Sequence, residues 1–459
     1  MLIGDFNVHH TDWLGSRVTD AASGCTLQLT ITLGLLQIVE ESTREERPGN
    51  CTDTSKAQFV EARRSFNQAE KHATRCYNTK LRKDLADKTL SSKKWWRIVN
   101  TLFGRTARSD IPVIEHQGVA HIKVRDKAKT FCQTFAEKCR LQNAEDQAPE
   151  VCPTTTKSFD KVVCKPKDIR KLLQHLTPDK ATGPDLIPNR VLKECCAELA
   201  SPLCRLSHLC FSHGVFPNQW KTASVTPIHK RDSKADPTKY RLISLLSNII
   251  KIMEAAVRKQ LQQYLLSNNL ISNRQFGFRL SHSTADLLNI LSQKWNNTLD
   301  QSDEVCVIAL DIKGAFDKVW HNGLCSKLRA KGISVRLLSW LQNYLSDRSI
   351  NVVLSGQASD ITPINASVPT VSVLGLLLFL VCIDDLVDVC QNVLFLYADN
   401  STLFAPIRTS DDIDAVAASL NRDLSSMKVW ADKWKVTFEL TKYKTMVLSR
   451  KRTPSKPDL

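Results

Sequence analysis

The sequence predicts a mixed α/β or α+β domain, on three observations. Helix-period apolar patterns at 169–176, 249–266 and 286–299 alternate with short β-rich runs at 305–310, 350–354 and 393–397. Two of the β runs end in a carboxylate, Asp311 and Asp399. The chain of 459 residues is 42% hydrophobic and 24% charged, a globular composition with enough apolar mass for a sizeable core.

The N-terminal stretch to about residue 50 reads as strands and turns, and it closes in the polar run 45–50, a break. Residues from about 56 to 110 are helix-favouring and strongly basic. Arg63, Arg64, Lys71, Arg75, Lys80, Arg82, Lys83, Lys93, Lys94 and Arg97 are interleaved with Trp95, Trp96 and Phe103. Such a segment can grip phosphates and stack on bases. The competing expectation is an amphipathic helix with its tryptophans packed inward. Residues 126–139 form a second amphipathic pattern, with Ala128, Phe131, Cys132, Phe135 and Cys139 on one face. A polar, proline-containing stretch at 142–156 reads as a linker, and the larger domain follows from 157 to 452.

The formal net charge of +16 points to a polyanionic partner, nucleic acid before an anionic membrane surface. Fifteen cysteines, scattered and without a CxxC pair, argue against a secreted disulfide framework and give no support to a zinc site. The first residues carry no basic region or cleavage site of a signal peptide. The longest apolar stretch, 371–383, is short of the roughly 20 residues that span a bilayer. An intracellular protein without a membrane partner is expected, in nucleus or cytoplasm. Nothing in the sequence sets an oligomeric state.

A carboxylate closing a buried strand is most often a turn or cap residue. Here a second one closes a strand–turn–strand hairpin with Asp399 at its tip. Two rigid carboxylates on adjacent strands can hold hard divalent cations.

At these residues a family resemblance becomes specific. The segment 310–321, Leu310-Asp311-Ile312-Lys313-Gly314-Ala315-Phe316-Asp317-Lys318-Val319-Trp320-His321, resembles the first catalytic motif of reverse transcriptases of jockey-like non-LTR retrotransposons. Tyr397-Ala398-Asp399-Asn400 resembles their Tyr-Ala-Asp-Asp hairpin. Segments 180–185, 240–247, 274–284 and 367–375 resemble further family motifs in the expected order, so the likeness covers roughly two thirds of the chain.

The resemblance implies an α+β right-hand polymerase fold, with fingers at 157–300 and a palm at 301–452, preceded by a basic helical linker at 51–156. It also implies an endonuclease remnant at 1–50, in which Asp5 and Asn7 would be active-site residues, and a short tail at 453–459 in place of a thumb. The implied activity is RNA-directed DNA polymerisation, with an RNA template, a DNA primer, dNTPs and Mg2+ or Mn2+. Asp311 and Asp399, with the Ile312 backbone, would bind metal, and Lys442 would act as general acid. Phe316, Ile312, Thr370, Val371 and Arg241 would line the nucleotide site. Lys230 would touch phosphates, and Gln275, Gly277 and Arg279 the template.

The sequence departs from the family pattern where the chemistry would occur. Asn400 stands at the second hairpin aspartate and removes one negative charge. Thr370 and Val371 stand where the family has Gln-Gly, and a β-branched residue resists the backbone conformations glycine permits. Impaired polymerisation is expected. The alternative is a nucleic-acid-binding remnant without catalysis.

Overall fold

The computed structural model describes scattered helical residues between 61 and 99, and residues 111–458 apart from 231, 302, 370 and 409–411. The chain divides into two compact units, 1–110 and 111–459. The expected nuclease residues Asp5 and Asn7 lie outside the described residues. In the first unit the basic segment is helical at its described positions. Trp95 and Trp96 meet edge to face at 5.0 Å, and both are exposed rather than packed inward as a core face would require.

The second unit is α+β. A hairpin of β1 (Ile114–His116) and β2 (Val119–His121) leads into α1 (Val124–Lys138). The predicted apolar face of α1 is buried throughout, with Phe131 and Phe135 fully covered. Residues from 111 onward are part of the folded unit, because α1 packs its aromatic face on the sheet that follows.

That sheet contains β3 (Thr222–His229), β4 (Tyr240–Leu245), β6 (Arg348–Leu354), β7 (Gln357–Ala358) and β8 (Thr362–Ile364). Its order is β4-β3-β6-β7, with β8 also on β6, and the β3–β6 pair is parallel. A strand from beyond residue 300 thus completes a sheet begun before it. Helices α2 (Pro166–Gln174), α3 (Asn189–Glu194), α4 (Cys196–His213) and α5 (Asn248–Ser267) pack on one another and on the common core.

The second sheet positions the candidate site. Its strands are β5 (Glu304–Asp311), β9 (Val393–Tyr397), β10 (Asn400–Ile407) and β11 (Lys444–Leu448). The order is β11-β5-β10-β9, and every neighbouring pair is antiparallel. β5 is covered on both faces, which explains its unbroken apolar run. Cys306, Ile308 and Leu310 face the main core. Val305 and Val307 face a smaller cluster with Phe276, Phe395 and Phe404, closed by Leu287 and Leu291 of α6 (Thr284–Asp300). A capping box between Ser283 and Asp286 starts α6.

On the main-core side lie α7 (His321–Ala330), α8 (Val335–Leu345), α9 (Gly375–Ile383) and α10 (Ile413–Trp434). The apolar stretch at 371–383 contains the buried nine-residue helix α9. Among the described residues no helix is long and apolar enough to cross a membrane.

Candidate active site

The site is built by register. β9 and β10 join through the two-residue turn Ala398–Asp399, with Tyr397 opposite Asn400. β5 runs along the other side of β10, with Asp311 opposite Asn400. The Ile312 amide donates to the Asp399 carbonyl at 3.0 Å, so the two strand ends are stitched together. Two predicted carboxylates, 88 positions apart by number, therefore converge at one end of one sheet.

Their electrostatics follow from that closeness. Burial raises the Asp399 carboxyl above its usual range, and the neighbouring Asp311 raises it further, while Lys442 and Arg241 oppose the shift. Lys442 Nζ donates to Asp311 Oδ2, and this bond raises the lysine's own pKa. Lys442 itself is held by a turn next to the site: Glu439 N–H donates to the Asp311 carbonyl at 2.8 Å. Lys313 pairs with Glu439 at 3.7 Å. The Asn400 amide approaches Asp399 Oδ1 at 3.4 Å and adds no charge.

Phe316 is half-buried between two other rings, Phe379 at 4.6 Å and Phe278 at 5.9 Å. Arg241 is exposed on β4, close enough for its charge to lower the Asp399 pKa. Lys230 is exposed just beyond β3. Val371 is exposed, and Thr370 lies outside the described residues.

Gln275, Gly277 and Arg279 lie on the segment that runs beside the hairpin. Gln275 is 0% exposed, and its Oε1 accepts from the amides of Gly277 and Ala398. Gly277 is pressed against the hairpin: a Cβ there would lie 2.2 Å from the Ala398 nitrogen. Arg279 turns back on its own loop, donating to the Ser272 carbonyl at 2.7 Å. The segment braces the hairpin from below, because its short parallel pairing with Leu396 leaves Gln275 and Gly277 no path to the surface.

One group escaped the sequence reading. Glu254 is fully buried on α5 and accepts from Tyr344 Oη at 2.8 Å and from the Val373 amide at 2.7 Å. Burial pushes its carboxyl up, against the pull of these bonds. It thereby anchors the loop carrying Val371. The same loop is tied to the first carboxylate's segment, because Val368 N–H donates to the Phe316 carbonyl at 2.9 Å. His321 Nε2 donates to the Ser367 carbonyl, and burial holds this imidazole at about 4. The available signal was position: Glu254 sits on the apolar stripe with Ile250, Val257 and Leu261, where an unpartnered charge would be prohibitive.

Among the described residues no three His, Cys, Asp or Glu side chains converge as a metal-ligand group. The donor set at the hairpin is two mutually repelling carboxylates plus oxygen donors from amide and backbone. That set fits a hard divalent cation, with one carboxylate fewer than an aspartate at 400 would supply.

The sequence is also similar to known proteins. The chain is 31% identical over 300 residues to the RNA-directed DNA polymerase from mobile element jockey of Drosophila melanogaster, covering 63% of this chain and 32% of that protein. It is 30% identical over 277 residues to the probable RNA-directed DNA polymerase from transposon BS of the same species, covering 58% and 30%. The X-element polymerase of that species is 25% identical over 375 residues, covering 79% and 41%. The chain thus spans about a third of the length of the first two relatives. Residues 228–456 match the family described as reverse transcriptase (RNA-dependent DNA polymerase), and both aspartates of the site fall inside the match. The chain belongs to the reverse transcriptase family.

Proposed function

We propose that the chain carries the fingers and palm of a non-LTR retrotransposon reverse transcriptase, which adds dNTPs to a DNA primer on an RNA template. The four-stranded sheet is the palm, and residues 157–300 supply most of the fingers. One observation carries this reading: the register that sets Asp311 opposite Asn400, with Asp399 in the adjoining turn and electrostatically coupled to Asp311.

Asp311 and Asp399, with the Ile312 carbonyl, would hold Mg2+ or Mn2+, which lowers the pKa of the primer 3′-hydroxyl and neutralises charge on the departing pyrophosphate. The 3′-oxygen bonds to the α-phosphorus as the bond to pyrophosphate breaks. Lys442 donates the proton the leaving group needs. Arg241 contacts the triphosphate, and Phe316 closes on the sugar and rejects a 2′-hydroxyl. The exposed Trp95–Trp96 pair in the basic segment supports a further nucleic-acid contact.

Asn400 and the exposed Val371 favour a second reading, in which the protein binds nucleic acid without polymerising. Primer extension on an RNA template with Mg2+ separates the two. Asn400→Asp should raise extension by about tenfold or more, and Asp311→Ala should abolish it. Silence from the triple repair Asn400→Asp, Thr370→Gln, Val371→Gly, alongside intact RNA binding, would decide for the second reading.

A further inference from the structure

Ala398 occupies the left-handed region, with φ of 55°, in the two-residue turn that carries Asp399. An alanine held there is strained, so something must specify the turn. The β9–β10 ladder fixes Tyr397 and Asn400 but leaves the Ala398 N–H without a partner in the ladder. That amide donates to Gln275 Oε1 at 3.1 Å. The same oxygen accepts from Gly277 N–H at 2.8 Å.

The support beneath is rigid. Phe276 N–H donates to the Leu396 carbonyl and Leu396 N–H to the Arg274 carbonyl, each at 2.8 Å. These bonds lash the segment to the outer edge of β9. At Gly277 the two backbones approach too closely for any side chain.

Gln275 Nε2 is buried with no hydrogen-bond partner. An orphan amide of this kind is costly, and a glutamate would supply the same acceptor oxygen without it. A glutamate would also add a buried negative charge directly behind Asp399 and Asp311. The side chain is therefore one that accepts two amide protons while remaining neutral.

We propose that Gln275 is a positioning residue for the polymerase site: it sets the Ala398–Asp399 turn, and with it the Asp399 carboxylate, and it does not contact the template. This rests on the polymerase reading for its catalytic consequence, and on the hydrogen-bond geometry for its structural one.

The test uses the full chain, in its natural form and with Asn400→Asp, each with Gln275→Leu or Gln275→Glu. Amide exchange followed by mass spectrometry reads the turn. Gln275→Leu should speed exchange at 398 about tenfold while the β5 amides stay protected, and Gln275→Glu should preserve protection at 398. In single-nucleotide incorporation, Gln275→Leu should lower kcat about tenfold with dNTP KM and RNA–DNA affinity unchanged.

Loss of RNA–DNA affinity with kcat intact would overturn the proposal by making Gln275 a template contact. Exchange rising equally through β5 and β10 would overturn it by reducing Gln275 to a general prop. If no chain extends primer, and the triple repair Asn400→Asp, Thr370→Gln, Val371→Gly is silent as well, the polymerase reading fails, and exchange at 398 still decides whether Gln275 holds the turn.

Discussion

Glu254 and Gly277 show how single buried residues hold the candidate site in place. Glu254 gives one oxygen to Tyr344 Oη and the other to Val373 N–H. Glu254→Ala should cost about 2–3 kcal/mol, by opening a void and taking the acceptor from the Val373 amide, while Tyr344 Oη keeps its bond to Ser372 Oγ. Tyr344→Phe should cost about 1 kcal/mol, since Glu254 keeps its bond to Val373. Urea unfolding would measure both. Gly277→Ala should be destabilising by at least about 2 kcal/mol, because its Cβ meets backbone rather than a flexible side chain. A Gly277→Ala chain as stable as the natural one would mean that the hairpin and its brace are not in contact.

The two converging carboxylates, Asp311 and Asp399, were legible from sequence because each closes an apolar run. The brace and the buried anchor were not. A glutamine and a glutamate reveal their roles only through partners far along the chain, 123 residues away for Gln275 and Ala398.

Among the elements, strands and helices with an unbroken physical signature were the readable ones. β5 and β9 are apolar runs, and α1 repeats its apolar residues at helical spacing; each forms where expected. β3 was not readable, since Thr222–His229 alternates with small polar residues and contains Pro227. A proline argues against a central strand. Here it lies past Val225, the last residue paired with β6, where one side of β3 has become an edge.

β5 also begins in an unanticipated way. Glu304 is buried and would resist ionisation there, yet hydrogen bonds from Ser449, Ser455 and Lys451 hold it at about 2. A carboxyl depressed on folding stabilises fully above its ordinary pKa, about 4.5, and loses that contribution as pH falls toward 2. The natural chain should therefore lose stability across that window. Glu304→Gln should flatten this part of the profile and lower stability at pH 7 by about 2 kcal/mol. Acid unfolding followed by tryptophan fluorescence would show the difference.

For the molecule as a whole, charge and topology dominate. On the proposed function, a net charge of +16 should make binding to RNA or DNA strongly salt-dependent. Raising salt from about 50 to 200 mM should weaken binding at least a hundredfold if several phosphates are neutralised, as a fluorescence-anisotropy titration would show. A flat salt response would disconnect the basic surface from nucleic acid. A mixed α/β or α+β class could be read from the alternation of patterns, but the pairing of sheets could not, because the partners of β3 are set by packing between remote segments.

That pairing has a consequence for synthesis. Ser224 and Asn351 hydrogen-bond across 127 positions of chain. At about 5–20 residues per second, β3 and β4 leave the ribosome roughly 6–25 seconds before the strand they need. During that interval the β3 edge and the aromatic face of α1 stand uncovered, open to pairing with any other chain nearby. The hazard in producing this protein therefore lies in a waiting time set by strand order, and slowing initiation or supplying a chaperone during those seconds should improve recovery more than any stabilisation of the finished fold.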